Sequence, residues 1–200
     1  MPRTKEQNEH IRQEKRAKIL QEATVLFAAH GLSQTTIAMV AKSANISFGS
    51  VFTYFPTKEE LFQAVVLEPL DELKTTLFER TVPADTPLLE IKKLVKQQVR
   101  IFSERKDYLR IVQYVLGQSD RFPDLFVKLD EFLNSIIASL EPLIIAGQAS
   151  DELEPIDPKL VALSYFSYLN GIRLTINDCP DNTIWDMYVD QGVRLFGPKR

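Results

Sequence analysis

The most restrictive feature of this sequence lies between Gly31 and Pro56. Helix-ending and helix-starting residues follow one another there so closely that only short helices fit. The preceding segment, from about Glu9 to His30, carries Ile19, Ala23, Leu26, Phe27 and His30 on one face at helical spacing, and Gly31 stops it as a C-cap residue. Thr36 caps a second helix over Ile37 to Ala44, Asn45 and Ile46 make a tight turn, and Ser47 caps a third helix ending near Tyr54. Pro56 cannot sit inside that helix and marks its break. Thr57 then opens the next helix with the spacing of a capping box, Thr57-x-x-Glu60. Helices of these lengths with a turn this short make a helix-turn-helix. Periodicity supplies its core: Ile37, Val40 and Ala41 against Val51, Phe55 and Phe27, with Ala41 and Ala44 small where two helices approach. The same pattern also describes an αα-corner with no nucleic-acid role.

The rest of the chain continues at helical period. A long helix is expected from Thr57 to about Arg80, then a Pro-punctuated loop from Pro83 to Pro87. Further helices are expected at about Leu88–Glu104, Lys106–Leu116, Asp124–Ala146, Lys159–Asn177 and Thr183–Phe196. Glycine is scarce, at 7 of 200 residues, and no period-2 strand appears. The expected fold class is all-α, about nine helices in two parts. Residues 1–56 are expected to form a three-helix head, and residues 57–200 a helical body.

Net charge is −3, which argues against a nucleic-acid partner until its distribution is read. Residues 1–58 carry eight Lys or Arg against four Glu, and the rest is acidic. A basic head on an acidic body suits a protein that offers one end to phosphate. No apolar run approaches the ~18 residues of a membrane span, and the charged N-terminus lacks the apolar stretch of a signal peptide. A single cysteine, Cys179, forms no internal disulfide and fits a reducing, cytoplasmic setting.

The stretch ISFGSVFTYFPTKEEL (Ile46 to Leu61), preceded by TTIAMVAKSAN (Thr35 to Asn45), closely resembles the DNA-binding domain of the TetR family of transcriptional regulators. Matching positions include Gly31, Thr35, Thr36, Val40, Ala41, Ala44, Ile46, Ser47, Gly49, Val51, Phe52, Tyr54, Phe55, Lys58 and Leu61. The resemblance implies that Tyr54 and Lys58 reach phosphates across the groove and that the last two helices form a four-helix bundle with their symmetry mates. It also implies a small-molecule effector in the body whose binding moves the heads apart.

Physical roles follow at the head. Ser47 and Ser50 lie in the first turn of the third helix, where hydroxyls and free N–H groups meet a phosphate. Gly49 leaves no side chain between helix and groove floor, and Thr36 adds a phosphate contact. Phe48, Ser50 and Thr53 are candidates for base edges, with methyl contact open to Phe48 and Thr53. Four positions depart from the family, one of them Met39, which replaces the carboxylate that would complete a capping box with Thr36. Phe52 stands where a Tyr is usual, Phe48 where a polar or basic residue is frequent, and Ala38 where a hydrogen-bonding residue is frequent. Lys5, Arg12, Lys15, Arg16 and Lys18 read either as solvated helix surface or as an arm gripping the DNA backbone.

In the body, Leu160 to Ile176 is apolar nearly all round, so one face packs internally and the other calls for a partner. A homodimer through the helices at about 159–177 and 183–196 is therefore expected. Candidate effector-lining residues are Phe102, Tyr108, Tyr114, Phe126 and Leu129, with Leu133, Tyr165, Phe166, Leu169 and Arg173. Each reads first as plain core and only second as a ligand contact. No catalytic group, metal site or cofactor motif is read from the chain, in which His10 and His30 are the only histidines. The functional expectation is a repressor that binds a palindromic operator in double-stranded DNA as a homodimer, released by a largely apolar effector. The alternative is a non-catalytic ligand-binding or protein-interaction module with weakened DNA affinity.

Overall fold

The computed structural model describes residues 4–78, 86–175 and 182–199, apart from the side chains of residues 173–175, 182 and 183. Cys179 and the side chain of Arg173 lie outside the described part. The described residues form ten helical segments and no strand, with one isolated bridge between Leu153 and Pro198.

Helix α1 (Lys5–Gln34) begins earlier than the apolar periodicity announced. Thr4 accepts the Gln7 backbone N–H at 3.2 Å and its own N–H donates to Gln7 Oε1 at 3.1 Å, a complete capping box. The added turn is polar on every side, so a reading by apolar face passes over it. Gly31 interrupts the helix at φ +74°, in the left-handed region that favours glycine, and the chain makes one more turn before Thr35. Thr35 is fully buried, and its hydroxyl donates to the carbonyls of Leu26 at 3.1 Å and Gly31 at 2.8 Å. Helix α2 (Ile37–Ala44) ends where Asn45 takes φ 56°, the left-handed cap that Asn tolerates. Helix α3 (Phe48–Phe52) follows.

The expected long helix after Thr57 is two helices, α4 (Lys58–Leu67) and α5 (Pro69–Phe78). Pro69 has no N–H to continue the ladder, while Glu68 keeps helical angles, so the interruption lies in hydrogen bonding more than in direction. The body continues with α6 (Pro87–Glu104), α7 (Lys106–Leu116), α8 (Pro123–Ala149), α9 (Pro158–Thr175) and α10 (Asn182–Arg194). By length and composition α8 is long and apolar enough to cross a membrane, which the sequence reading did not expect. Its stripe of Leu125, Leu129, Ile136, Leu140 and Ile144 is buried in the protein core.

One continuous apolar core runs from Ile19, Ala23 and Phe27 of α1, through Val40, Val51, Phe55 and Leu61, into Ile91, Leu129, Tyr165 and Phe196. The head is therefore not a separate bead. Phe27 meets Phe62 of α4 edge-on at 5.1 Å, Phe62 meets Phe122 at 5.5 Å, and Phe122 meets Tyr114 at 5.7 Å. α1 packs on α2, α4 and α7, α8 lies along α9, and α10 lies along α6.

Candidate nucleic-acid interface

The helix-turn-helix core forms as its periodicity requires. Ile37, Val40, Ala41, Ala44, Val51, Phe55 and Phe27 are all buried. Burying the apolar faces of α2 and α3 leaves their remaining faces to solvent. On α3, Val51 points inward while Phe48, Gly49, Phe52 and Thr53 are exposed. Caps fix both helix starts. Thr36 accepts the Met39 N–H at 3.2 Å, Ser47 accepts the Ser50 N–H at 3.3 Å, and both cap residues are exposed.

The polar groups of α3 turn onto the helix itself. The Ser47 and Ser50 hydroxyls pair at 2.5 Å, and the Thr53 hydroxyl donates to the Ser50 carbonyl at 2.7 Å. What α3 holds outward is aromatic: Phe48 is 55% exposed and Phe52 40% exposed. Their rings meet edge to face at 5.1 Å and 74°. At Gly49 an added Cβ would meet nothing within 4 Å, so none of the described residues requires glycine there.

Tyr54 is half-buried against the core edge. Lys58 differs from the expectation of a cation free to cross a groove. Its Nζ donates to the carbonyls of Leu32 at 2.8 Å and Thr35 at 3.1 Å, closing the C-terminal end of α1. Thr57 caps α4 by accepting the Glu60 N–H at 3.0 Å, and the Glu60 carboxylate receives the Thr57 hydroxyl at 3.1 Å.

The basic arm divides. Lys5, Arg12, Lys15 and Lys18 are exposed along α1. Arg16 is instead held by both oxygens of Glu68, one at 2.6 Å, with its guanidinium 4.9 Å from the centre of the Phe55 ring. That hydrogen bonding raises the Arg16 pKa above its usual value. From the body, Arg121 reaches Ser33 of α1 at 3.2 Å and the Tyr114 hydroxyl at 2.9 Å. Periodicity could not find the Arg16–Glu68 and Arg121–Ser33 ties, because each joins residues dozens of positions apart.

The effector candidates scatter. Phe102, Tyr108, Leu129, Tyr165 and Leu169 are buried, while Tyr114, Phe126, Leu133 and Phe166 are half-buried. Tyr108 borders a cleft of about 650 Å³ between α1, α5 and the α6–α7 turn, beside Thr24, Val25, Glu72, Arg105 and Asp107. Its hydroxyl donates to the Val66 carbonyl at 2.9 Å, and burial pushes its pKa upward. The Tyr165 ring meets that of Phe196 at 4.8 Å and a tilt of 52°, and its buried hydroxyl has no hydrogen-bond partner among the described residues.

Comparison with known proteins places this arrangement. The family model for bacterial regulatory proteins of the tetR family matches residues 19–65, continuing into α4 past the expected domain boundary at residue 56. The uncharacterised HTH-type transcriptional regulator YhgD of Bacillus subtilis is 30% identical over 155 residues, 72% of this chain and 74% of its own. A tetR-family regulatory protein of Rhodococcus RHA1 superposes with a TM-score of 0.78 at 24% identity, over 93% of this chain and 98% of its own. AibR, solved in complex with isovaleryl coenzyme A and operator DNA, superposes with a TM-score of 0.74 at 16% identity, over 92% of this chain and 100% of its own. With its helix-turn-helix and helical body in the same arrangement, this chain belongs to the tetR family of DNA-binding transcriptional regulators, which are not enzymes.

Proposed function

We propose that the protein is a repressor that binds a palindromic operator as a homodimer and leaves it when a small, largely apolar effector occupies the body. The observation that carries the DNA half of this reading is α3, capped, anchored through Val51 and open along its whole outer face. Ser47, Ser50, Thr36 and Tyr54 are the proposed phosphate contacts, and Phe48, Gly49, Phe52 and Thr53 face the major groove. Lys58 keeps a third N–H for phosphate while its other two hold α1, so it contributes position as well as charge.

One helix-turn-helix covers few base pairs, so a second copy is needed to span two half-sites. The exposed apolar residues of α9, Leu160 and Leu163, support the expected use of that helix. Ile184 and Met187, exposed on α10, support that helix as its companion. Leu163→Arg is expected to leave the protein folded but monomeric by sedimentation, with DNA affinity lost in parallel. A dimer of undiminished stability would remove α9 from the interface.

In the body, the buried Tyr165 hydroxyl has no partner among the described residues, and an effector bearing an acceptor would supply one. Selection of bound sequences from a random DNA pool tests the reading as a whole. A two-fold symmetric site is expected, and binding of no sequence at low salt would leave a ligand-binding or protein-interaction module instead.

A further inference from the structure

We infer that α3 reads its operator through the 5-methyl groups of thymine, using Phe48 and Phe52 together as one apolar probe. The inference rests on the DNA-binding reading above and adds to it what the helix recognises. In the major groove each base pair is told apart by hydrogen-bonding groups and by the thymine methyl. Discrimination of guanine, adenine or cytosine by hydrogen bonding needs side-chain donors or acceptors aimed outward. The side chains of α3 and its flanks offer few, since the Ser47 and Ser50 hydroxyls bond each other and Thr53 bonds back to Ser50. Thr53 is thereby left to present its methyl group. Phe48 and Phe52 lie four residues apart, on one face of the helix. Their edge-to-face contact at 5.1 Å fixes each ring against the other before DNA arrives. Two rings held in place lose little side-chain freedom on binding, and their exposed area is what a methyl group can cover. A glycine between them, with open space where its Cβ would lie, lets the pair approach the base edges.

This gives Phe52 a role of its own. Where a Tyr would lend a hydroxyl to phosphate, Phe buttresses Phe48 and extends the apolar face. Selectivity then depends on a group that takes no part in base pairing.

The test uses the full-length protein and the duplex obtained from the random-pool selection. Each thymine is replaced in turn by deoxyuridine, which removes the methyl and keeps every hydrogen-bonding group. Affinity is expected to fall about fourfold for each contacted methyl, from roughly 0.8 kcal/mol per buried methyl-sized group. Losses should cluster at one or two positions per half-site. Phe48→Ala should bind the thymine and uracil duplexes alike. Phe48→Leu, which stays apolar but breaks the ring contact, should keep only part of the discrimination. Both residues are exposed, so thermal unfolding of the variants should match the parent. Tight binding of the parent with no penalty for uracil at any position would overturn methyl readout and leave DNA binding intact. Failure to bind any duplex would remove both readings.

Discussion

At the scale of single residues, two positions of the head separate folding from binding. Gly49 has empty space where a Cβ would go, so Gly49→Ala should leave the fold unchanged or stabilise it by up to about 1 kcal/mol through helix propensity. The same methyl faces the groove, and DNA affinity should fall. Urea unfolding and a gel shift on one preparation check both halves. Lys58 is the opposite case. Lys58→Met removes the ammonium that closes α1 and strands two carbonyls, so a loss on the order of 1–3 kcal/mol in urea unfolding is expected besides weaker DNA binding. Both positions were visible in the sequence, and the reason for Lys58 was not. A lysine at the start of a helix reads as a cation looking for phosphate, because nothing local reveals that the end of α1 lies beside it.

At the scale of elements, legibility followed the local signals. Thr36, Asn45 and Ser47 each mark a boundary through their own backbone chemistry, and the helices start and stop there, whereas α1 kinks at Gly31 and runs on to Gln34. The early start of α1 was missed because its capping box precedes a turn without an apolar face. The α4–α5 break was missed because Pro69 sits inside a continuous apolar pattern, and its effect is one missing hydrogen bond. Pro69→Ala restores that donor and should fuse the two helices, raising thermal stability by about 1–3 kcal/mol and helical circular dichroism slightly. If effector release works by bending this joint, the fused variant should stay on its operator at effector concentrations that release the parent. The effector candidates were the least legible part. Periodicity ranks residues by burial, and Leu129, Leu169 and Tyr165 are buried whether or not a ligand ever lies beside them.

At the scale of the whole molecule, three tyrosines couple folding to pH. Burial pushes Tyr108 and Tyr165 well up from their usual 10.0, and Tyr168, whose hydroxyl donates to the Tyr188 carbonyl at 2.9 Å, up to about 12. Each stays protonated in the native state at a pH where the unfolded chain has released its proton. Above pH ~10 the unfolded state therefore binds fewer protons, and stability declines as pH rises. Denaturant midpoints measured between neutral pH and pH 11 should fall on the alkaline side, and Tyr168→Phe should soften the decline. A midpoint that stays flat across that range would count against burial of these phenols.

The chain of rings from Phe27 through Phe62 to Phe122, with Arg16 on Glu68 and Arg121 on Ser33, also bears on how such regulators are recombined. A chimera cut at residue 56 would separate Phe27 from Phe62 and Arg16 from Glu68, leaving each half with a raw apolar seam. Grafting a new sensing body onto this reading head calls for a junction beyond Glu68, so that α4 travels with the DNA-binding part. For protein engineering, the transferable unit is the head together with the helix that the body would otherwise claim.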